Sequence, residues 1–567
     1  MDLPRSSTRT TVLKTRTRGC CCFGWSSHNL YQDKVLRVAH QARSIRFVLA
    51  VAVAVAVATM VPRPFLPLSM APLPQPLSQP VSTMGVTTTT LMPVSVSVAA
   101  ATVVLVDPVS TGVMLQQRLF RAGYRIILVW SDRTSPIVRQ QHYTKSGCSP
   151  QDFAAIIVHR PCDDLGGGIK ETITGILEAC GSSDVSTSKG IVTAVCCGSE
   201  YGVLLEDEIA TELNKVLETT HLKPSGMALT QTKVDKHAQA SRIRKAGLDA
   251  VREELAFEDE DVASFLNAYH AHGDHNKTTP LAVVVKPQTG AGSVGVMFCR
   301  SEQAVWDGFH AILAGEHKAN YGKRYKHYKH AGVLLQEYLN GTEYIVNMVV
   351  MDGVIKTTAT WKYDKRPYNT ASFVCFSKEL VVLSDDDEPH LKDIVEYAEN
   401  VTRALDFTNG ALHAEVMYVE GRGPVLVEMN CRLHGGNGAW VHPAEICMGY
   451  SQLNVYMDAY LNEGKADFAT VPARPLMAHK RCHQVKMRSH IGGTLQGYIP
   501  EQMDRIKTLP SYYEHFFNVH PGDTLLETID MPSVPGEVTL IHEDRVQLDK
   551  DYQQLNEILR EGIFQVA

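Results

Sequence analysis

The sequence predicts an open, mostly parallel α/β sheet at the start of the folded part, followed by α+β units. Three observations support this. Strand-like runs alternate with helical patterns from residue 102 to about 220, short paired strands prevail after residue 280, and residues 477–544 are again rich in strand-like runs. Alternating strands and helices are typical of parallel sheets, whereas paired short strands are typical of antiparallel ones. We therefore expect mixed α/β and α+β architecture with a small β-rich C-terminal part.

A chain of 567 residues is too long for a single core, and several domains are expected. The changes in pattern divide it into an N-terminal extension (1–100), an open parallel α/β domain (101–222), an α+β domain (223–465) and a β-rich C-terminal domain (466–567).

The N-terminal extension differs in composition from the rest. Residues 1–46 hold nine Lys or Arg against two acids, and no acid occurs between Asp33 and Asp107. An apolar run at 47–61 follows, which is shorter than the roughly 20 residues of a membrane span. This pattern suggests a targeting segment, with a membrane anchor at 47–61 or a disordered extension as alternatives. After its removal the protein is expected in the cytoplasm or an organelle, and any membrane contact is expected only through this segment.

The overall composition excludes some classes of function. The net charge is -6 and the isoelectric point is about 6.4, which gives no electrostatic basis for binding nucleic acid. Thirteen cysteines, an odd number without framework spacing, indicate reduced thiols rather than a disulfide scaffold.

The first folded element is predicted to be a βαβ unit. The segment TVVLVDPVSTGVMLQQRLFRAGYRIILVWSD (102–132) reads as strand, glycine-containing turn, helix and strand. The alternation continues through FAAIIVHR and GIVTAVCC, and a helical pattern follows at 234–255. An open sheet with helices on its faces is therefore expected up to about residue 220.

A lysine and a glycine-rich loop stand at the end of the next strand. In AVVVKPQTGAGSVGVMF (282–298), Lys286 closes an apolar run and Gly290–Gly295 follow. The glycines match a dinucleotide fingerprint, but that motif requires a helix after the loop and VMFCR reads as a strand. We therefore predict a hairpin flap whose backbone N–H groups fold over phosphates, with Lys286 beside them. A mobile hairpin tip is the alternative.

The segments ALHAEVMYVEGRGP (411–424) and VLVEMNCRLHGGNG (425–438) predict a β-hairpin turning at 420–423. That turn places Glu415 opposite Glu428, with Asn430 and Arg432 further along the same face. The alternate residues from Val425 to Leu433 then form an apolar face, on which Cys431 is expected to be inert packing.

Two opposed carboxylates repel each other, so this face needs a compensating charge. Mg²⁺ takes carboxylate and amide oxygens and completes its shell with phosphate and water. Arg432 on the same face suits phosphate recognition. The hairpin therefore suggests a metal–phosphate site, with a solvated polar face as the alternative.

Three motifs follow one another along the chain: a strand that leads to Lys286 and the glycine flap, a strand and turn that lead to Glu343, and the hairpin with Glu415 and the pattern Glu-x-Asn-x-Arg. In this order they resemble the ATP-grasp superfamily. The closest likeness is to its amino-acid ligases, and it extends from about residue 102 to the C-terminus. The resemblance implies a pre-ATP-grasp domain at 101–222 and an ATP-grasp domain of two α+β subdomains at 223–465.

The resemblance also implies roles for individual residues. The expected binding residues for ATP are Lys236, Lys286, Gly290, Gly292, Ser293, Gly295, Gln336, Tyr338, Leu339 and Glu343. The expected Mg²⁺ ligands are Glu415, Glu428 and Asn430, and the expected catalytic residues are Arg432 and Lys286. Mn²⁺ is expected to substitute for Mg²⁺.

Some positions depart from the family pattern or stay unassigned. Cys431 stands where many relatives have proline, and Gln336 where several have an acid. Contacts to substrate are left open for Glu200, Lys362, Lys365, Arg366 and His434.

The chemistry implied is ATP-dependent joining of a carboxylate to an amine through an acyl phosphate, on an amino acid or small peptide. Catalysis by positioning and electrostatics requires no nucleophilic side chain. A biotin-carboxylase-like enzyme and a non-catalytic nucleotide-binding protein remain as alternatives. The expected partners are ATP and small carboxylate and amine substrates, with a homodimer as one form of assembly.

Overall fold

The computed structural model describes residues 101–161, 167–181, 192–226, 232–271, 281–288, 293–315, 332–461, 465–475 and 477–567. The N-terminal extension therefore lies outside the described residues. Within the described part, no helix has the length and apolar character needed to cross a membrane.

The described residues form nineteen strands and thirteen α-helices. The strands are β1 Thr102–Val106, β2 Arg125–Trp130, β3 Ala155–Val158, β4 Val192–Cys197, β5 Glu253–Ala256, β6 Val283–Pro287, β7 Met297–Cys299, β8 Val333–Glu337, β9 Thr342–Met351, β10 Val354–Tyr368, β11 Ala371–Val381, β12 Gly410–Val419, β13 Gly423–Asn430, β14 Arg481–Lys486, β15 Gly493–Tyr498, β16 Tyr512–Phe517, β17 Thr524–Leu525, β18 Gly536–His542 and β19 Phe564–Val566. The α-helices are α1 Thr111–Arg121, α2 Pro136–Ser146, α3 Gly167–Ala179, α4 Val203–Val216, α5 Lys236–Lys245, α6 Asp259–Ala271, α7 Glu302–Ala314, α8 Leu391–Ala404, α9 Val441–Met448, α10 Gln452–Tyr460, α11 Lys465–Thr470, α12 Pro500–Lys507 and α13 Arg545–Glu561.

The first sheet is parallel and has the order β3-β2-β1-β4, as predicted. Its strands are apolar on both faces because helices cover both. Val103 and Leu105 share a core with α1, whereas Val104 and Val106 share one with α3 and α4. The carboxyl ends of β1 and β4 thereby hold their following loops at one edge.

The second sheet is antiparallel, has the order β5-β8-β6-β7, and packs against α6 and α7. Val283 of β6 pairs with Cys299 of β7. The segment after the glycine-rich loop is therefore a strand, as predicted, and the loop is the connection of a hairpin rather than a helix start.

The largest sheet has eight antiparallel strands in the order β13-β12-β9-β10-β11-β14-β18-β16. One face packs under α8 through Val346 and Met348. The other face, with Ile345 and Trp361, shares a core with the first sheet. The hairpin β12–β13 forms one edge of this sheet, with β13 as the outermost strand and β12 paired with β9.

The C-terminal strands β14, β18 and β16 continue the same sheet, joined to β11 where Ser377 pairs with Val485. Strands β17, β15 and β19 form a separate three-stranded sheet. The predicted β-rich character of this region is confirmed, and the domain boundary at residue 466 stays a prediction.

The helical pattern predicted over 234–255 is realised only in α5, Lys236–Lys245. Gly247 has φ of 78°, a left-handed conformation that commonly ends helices. The chain then extends, and Glu253 pairs with Gln336 at the edge of the second sheet. Tertiary pairing thus overrides the local helical pattern.

Candidate active site

The hairpin β12–β13 holds Glu415 directly opposite Glu428, as predicted, and His413 opposite Asn430. The register shifts by one residue beyond Glu415, so Val427 is an extra residue on β13. The predicted single apolar face is wrong because of this bulge. Val425 packs in one small cluster with Leu339, whereas Met429 belongs to the core under α8.

The two opposed carboxylates have different electrostatic surroundings. Burial alone would raise the pKa of Glu415, but the His413 hydrogen bond and the charge of Lys365 hold it well below its ordinary value. Burial raises the pKa of Glu428, and Lys236 opposes that shift with its Nζ atom 2.8 Å from Oε1. The carboxylate of Glu415 is therefore stabilised in its charged form, whereas the charge of Glu428 depends on the nearby ammonium group of Lys236.

The two predicted phosphate lysines lie beside this hairpin. Lys236 begins α5, where Asp235 caps the helix by accepting from the N–H groups of His237 and Ala238. Lys286 is the last but one residue of β6 and is buried, and burial together with the charge of Lys236 lowers its pKa to about 8. Two buried cations close to each other form a site that favours an anion.

Arg432 is fixed by three hydrogen bonds. Its guanidinium donates to Oε2 of Glu200 at 2.7 Å, to Oδ1 of Asn430 at 2.9 Å and to the carbonyl oxygen of Leu433 at 3.0 Å. Glu200 follows β4 in the first sheet. The α/β domain thus contributes directly to the geometry of the predicted catalytic arginine.

The predicted adenine end is apolar and aromatic. Tyr338 lies against Phe298 and Phe373, with ring centroids 4.5 and 6.2 Å apart. The amide of Gln336 donates to Glu253. Glu343, the predicted ribose contact, accepts a hydrogen bond from Lys365, with Nζ and Oε1 2.5 Å apart. It therefore lines the cavity as one member of an ion pair.

The glycine flap is described only in part. Gly290 and Gly292 lie outside the described residues. Ser293 and Gly295 both have positive φ, 62° and 74°, and Ser293 lines the cavity together with Val294 and Val296. The left-handed backbone at Gly295 is what the glycine there permits.

These elements surround one cavity of about 460 Å³. Of the predicted residues, it is lined by Lys236, Lys286, Ser293, Gln336, Tyr338, Leu339, Glu343, Glu415, Glu428, Asn430 and Arg432. Three of the unassigned residues, Glu200, Lys365 and His434, also line it. Lys362 instead pairs with Glu388, and Arg366 with Asp364 on its own strand.

Several cavity residues were missed from the sequence, among them His413, Lys378, Lys486 and the start of α1 at Ser110 and Thr111. They lie far apart in the chain, and the sheet order brings them together. The only available signal was the inward position of Lys378 and Lys486 on strands with otherwise buried neighbours. Burial raises the pKa of the Cys431 thiol to about 12, and its expected role as inert packing stays a prediction.

The chain is similar to known proteins in sequence and in fold. Residues 279–440 match the model of the ATP-grasp domain. The chain is 28% identical over 367 residues to dapdiamide A synthase of Enterobacter agglomerans, covering 65% of this chain and 79% of that protein. It is 24% identical over 234 residues to alanine–anticapsin ligase of Bacillus subtilis, covering 39% and 46%.

The fold is similar to that of the L-amino acid ligase from Bacillus licheniformis, with a TM-score of 0.56 at 12% identity. This match covers 82% of the present chain and 99% of the ligase. At that identity the match concerns the fold alone. The matched ATP-grasp domain and the sequence relatives identify this chain as an ATP-grasp enzyme, an ATP-dependent carboxylate–amine ligase.

Proposed function

We propose that the enzyme is Mg²⁺-dependent and forms an amide or peptide bond on an amino acid or small peptide through an acyl phosphate. The observation that carries this proposal is the directly opposed pair Glu415–Glu428, with Asn430 and Arg432 beside it, in a cavity that also holds Lys236 and Lys286.

The donor set fits Mg²⁺. Two carboxylates and one amide oxygen converge from neighbouring positions of a single hairpin, and hard oxygen ligands of this kind are those that Mg²⁺ prefers. Glu415, Glu428 and Asn430 would hold the ion. When bound, Mg²⁺ supplies charge neutralisation for the phosphates of ATP.

The side chains of the cavity bind and orient the reactants. Lys286 and Lys236 would bind ATP phosphates as point charges. The substrate carboxylate oxygen forms a bond to the terminal phosphorus while the bond to the leaving ADP oxygen breaks. Lys286 spreads the charge that develops in this transfer, which is largely a matter of electrostatic positioning.

Arg432 acts in the second half of the reaction. The amine nitrogen forms a bond to the carbonyl carbon of the acyl phosphate, the bond from that carbon to the phosphate oxygen breaks, and the departing phosphate takes up the proton that the nitrogen loses. The guanidinium, held by Glu200 and Asn430, is positioned to stabilise the negative oxygen of the tetrahedral intermediate. Burial of this site keeps water away from the acyl phosphate, which would otherwise hydrolyse.

The substrate class is supported by the relatives. Their names describe a dapdiamide synthase, an alanine–anticapsin ligase and an L-amino acid ligase. The cavity, of about 460 Å³, must also admit ATP, since residues predicted to contact its adenine, ribose and phosphates line it.

The test incubates the protein with Mg²⁺–ATP and pools of amino acids and measures ADP and phosphate release, with mass spectrometry of the products. We expect ADP release that requires both a carboxylate and an amine, and a condensed product. ADP release that requires bicarbonate rather than a carboxylate and an amine contradicts the proposal. The absence of ADP release with every pool of amino acids also contradicts it.

A further inference from the structure

The lysines around the cavity differ in how their charge is balanced. Lys236 pairs with Glu428, Lys365 with Glu343, and Lys486 with Glu537. Among the described residues, Lys286 and Lys378 have no carboxylate within ion-pair distance. Lys286 is accounted for by the phosphates of ATP, but Lys378, on β11, lies on the side of the cavity formed with the C-terminal strands.

Lys378 is deeply buried. Its side chain is 2% exposed, and its Nζ atom lies 5.5 Å from the centre of the Trp361 ring. Burial lowers its pKa to about 8. An isolated buried ammonium is costly unless a partner compensates it, so this position calls for an anion that the described chain does not supply.

Within the part of the chain that the structure describes, the one hydrogen-bond contact of Lys378 is to a neutral group. Its Nζ atom lies 3.2 Å from Nε2 of His434. Burial and the nearby charge of Lys378 hold the pKa of His434 well below its ordinary value, so this imidazole is uncharged. An ammonium can only donate, and His434 therefore presents Nε2 as the acceptor and carries its proton on Nδ1.

A chain of polar contacts continues from His434. Its Nδ1 atom lies 3.1 Å from Nδ2 of Asn347, and Oδ1 of the same amide lies 2.9 Å from Nδ1 of His413. His413 in turn lies 3.4 Å from Glu415. A proton on Nδ1 of His434 requires the opposite orientation of this amide, with the oxygen toward His434 and the nitrogen toward His413, which gives each contact one donor and one acceptor. In that arrangement the network orients Lys378 without neutralising it.

Lys378 and Arg432 border the same glycine turn. A Cβ atom at Gly436 would lie 3.8 Å from Nζ of Lys378, and one at Gly435 would lie 3.7 Å from Nη1 of Arg432. The turn is held in place by Thr111, whose hydroxyl donates to the His434 carbonyl, and by Ser110, which accepts from the Asn437 N–H. The absence of side chains leaves room for substrate beside both cations.

We infer that Lys378 forms a second anion subsite, which binds a substrate carboxylate other than the one that ATP activates. This inference rests on the proposed ligation of amino acids. In such a reaction the activated carboxylate belongs beside Arg432, and two sources remain for the other. It is either the carboxylate of the amine-donating amino acid or a second carboxylate on the acyl donor.

The test compares acids with their uncharged amides in wild type and Lys378→Met. As amine donors we would use each proteinogenic L-amino acid and its α-carboxamide. As acyl donors we would compare L-aspartate and L-glutamate with L-asparagine and L-glutamine. We expect Lys378→Met to raise KM for the acid by about 10- to 100-fold, the usual effect of losing a charge-assisted hydrogen bond, and to leave KM for the amide unchanged.

The arm in which the selective loss occurs identifies which substrate carries the bound carboxylate. Lys378→Arg should keep part of the preference for the acid. Lys362→Met is the matched control, since Lys362 lies on the adjacent strand β10 and pairs with Glu388. An unchanged KM for ATP shows that each variant is folded.

Binding without turnover provides a second readout, since Trp361 and Trp440 lie near the subsite and report by fluorescence. Ligation with equal losses for acids and amides overturns the inference and leaves the proposed function standing. Binding that is selective for acids and requires Lys378, but is not followed by ligation, supports the inference and overturns the proposed function. Equal binding of acids and amides by wild type overturns the inference.

Discussion

At the residue scale, the site is a set of buried charges that compensate one another across long distances in the chain. Arg432 is fixed by Glu200, and Glu428 by Lys236. Each pairing leaves one face of the charged group toward the cavity. The positions of Glu415 and Glu428 follow from counting residues from a turn, but these partners do not, because the ion pairs depend on tertiary packing.

The lowered pKa of Lys286 predicts a pH dependence for ATP binding. Burial and Lys236 lower this pKa to about 8, and phosphate binding requires the protonated form. The KM for ATP should therefore be constant below about pH 8 and rise up to about tenfold per pH unit above it. Steady-state kinetics between pH 6 and 10 measure this.

In Lys286→Arg the guanidinium stays protonated over this range, so the rise in KM above pH 8 should disappear whatever the absolute affinity. The same rise in the arginine variant would show that another group is responsible.

Glu200 is predicted to be a positioning residue that acts through Arg432. Glu200→Gln weakens the hold on the guanidinium, and kcat should fall about 10- to 100-fold, the usual effect of losing an orienting partner, with little change in KM for ATP. Glu212→Gln is the control, since Glu212 pairs with Lys215 on the surface of α4. Equal kcat values for the two variants would exclude this role for Glu200.

At the element scale, register decides which side chains meet. The hairpin β12–β13 has the predicted pairing at Glu415, but the bulge at Val427 was not predictable, because no local residue pattern requires it. The helix predicted over 234–255 was cut short for a similar reason, since β5 gains a partner strand that the sequence window does not contain.

The contact of α1 with the end of β4 depends on two glycines. A Cβ atom at Gly112 would lie 2.3 Å from the carbonyl oxygen of Gly198, so Gly112→Ala must displace backbone. We expect a loss of about 1–3 kcal/mol in the free energy of unfolding, typical of overpacking. Chemical denaturation measures this.

Gly175→Ala in α3 is the matched control. Its Cβ would lie 3.3 Å from the tip of the Ile157 side chain, which can move, so a change below about 1 kcal/mol is expected. Equal effects of the two substitutions would contradict the close backbone contact at Gly112.

At the scale of the whole molecule, one cavity is built from three sheets. The first sheet supplies Glu200 and the start of α1, the second supplies Lys286, and the largest supplies the hairpin and Lys378. The fold class was predictable because strand and helix periods are local properties of the sequence. In the cavity, the opposed pair Glu415–Glu428 was predictable from the turn, and the roles of the other predicted residues came from the family resemblance. The C-terminal contribution through Lys486 was not predictable.

A buried ion pair joins the first sheet domain to the segment before α5. Nζ of Lys233 lies 2.7 Å from Oδ2 of Asp207, and both side chains are almost fully buried. Lys233→Met leaves the Asp207 charge without its partner and should destabilise the protein by about 3–5 kcal/mol. Thermal and chemical unfolding measure this loss.

The double variant Lys233→Met with Asp207→Asn should be less destabilised than the single one, because no buried charge remains. A double variant that is destabilised by the sum of the two single effects would show that the pair is not coupled.

The central claim is that a substrate carboxylate is activated by phosphate from ATP in this cavity. The most direct measurement supplies amino acids labelled with oxygen-18 in the carboxylate, with Mg²⁺–ATP, and follows the label by mass spectrometry. We predict ADP, a condensed product and inorganic phosphate that carries one labelled oxygen, and the loss of all three in Glu428→Gln. Label in AMP, or condensed product with unlabelled phosphate, would contradict the account.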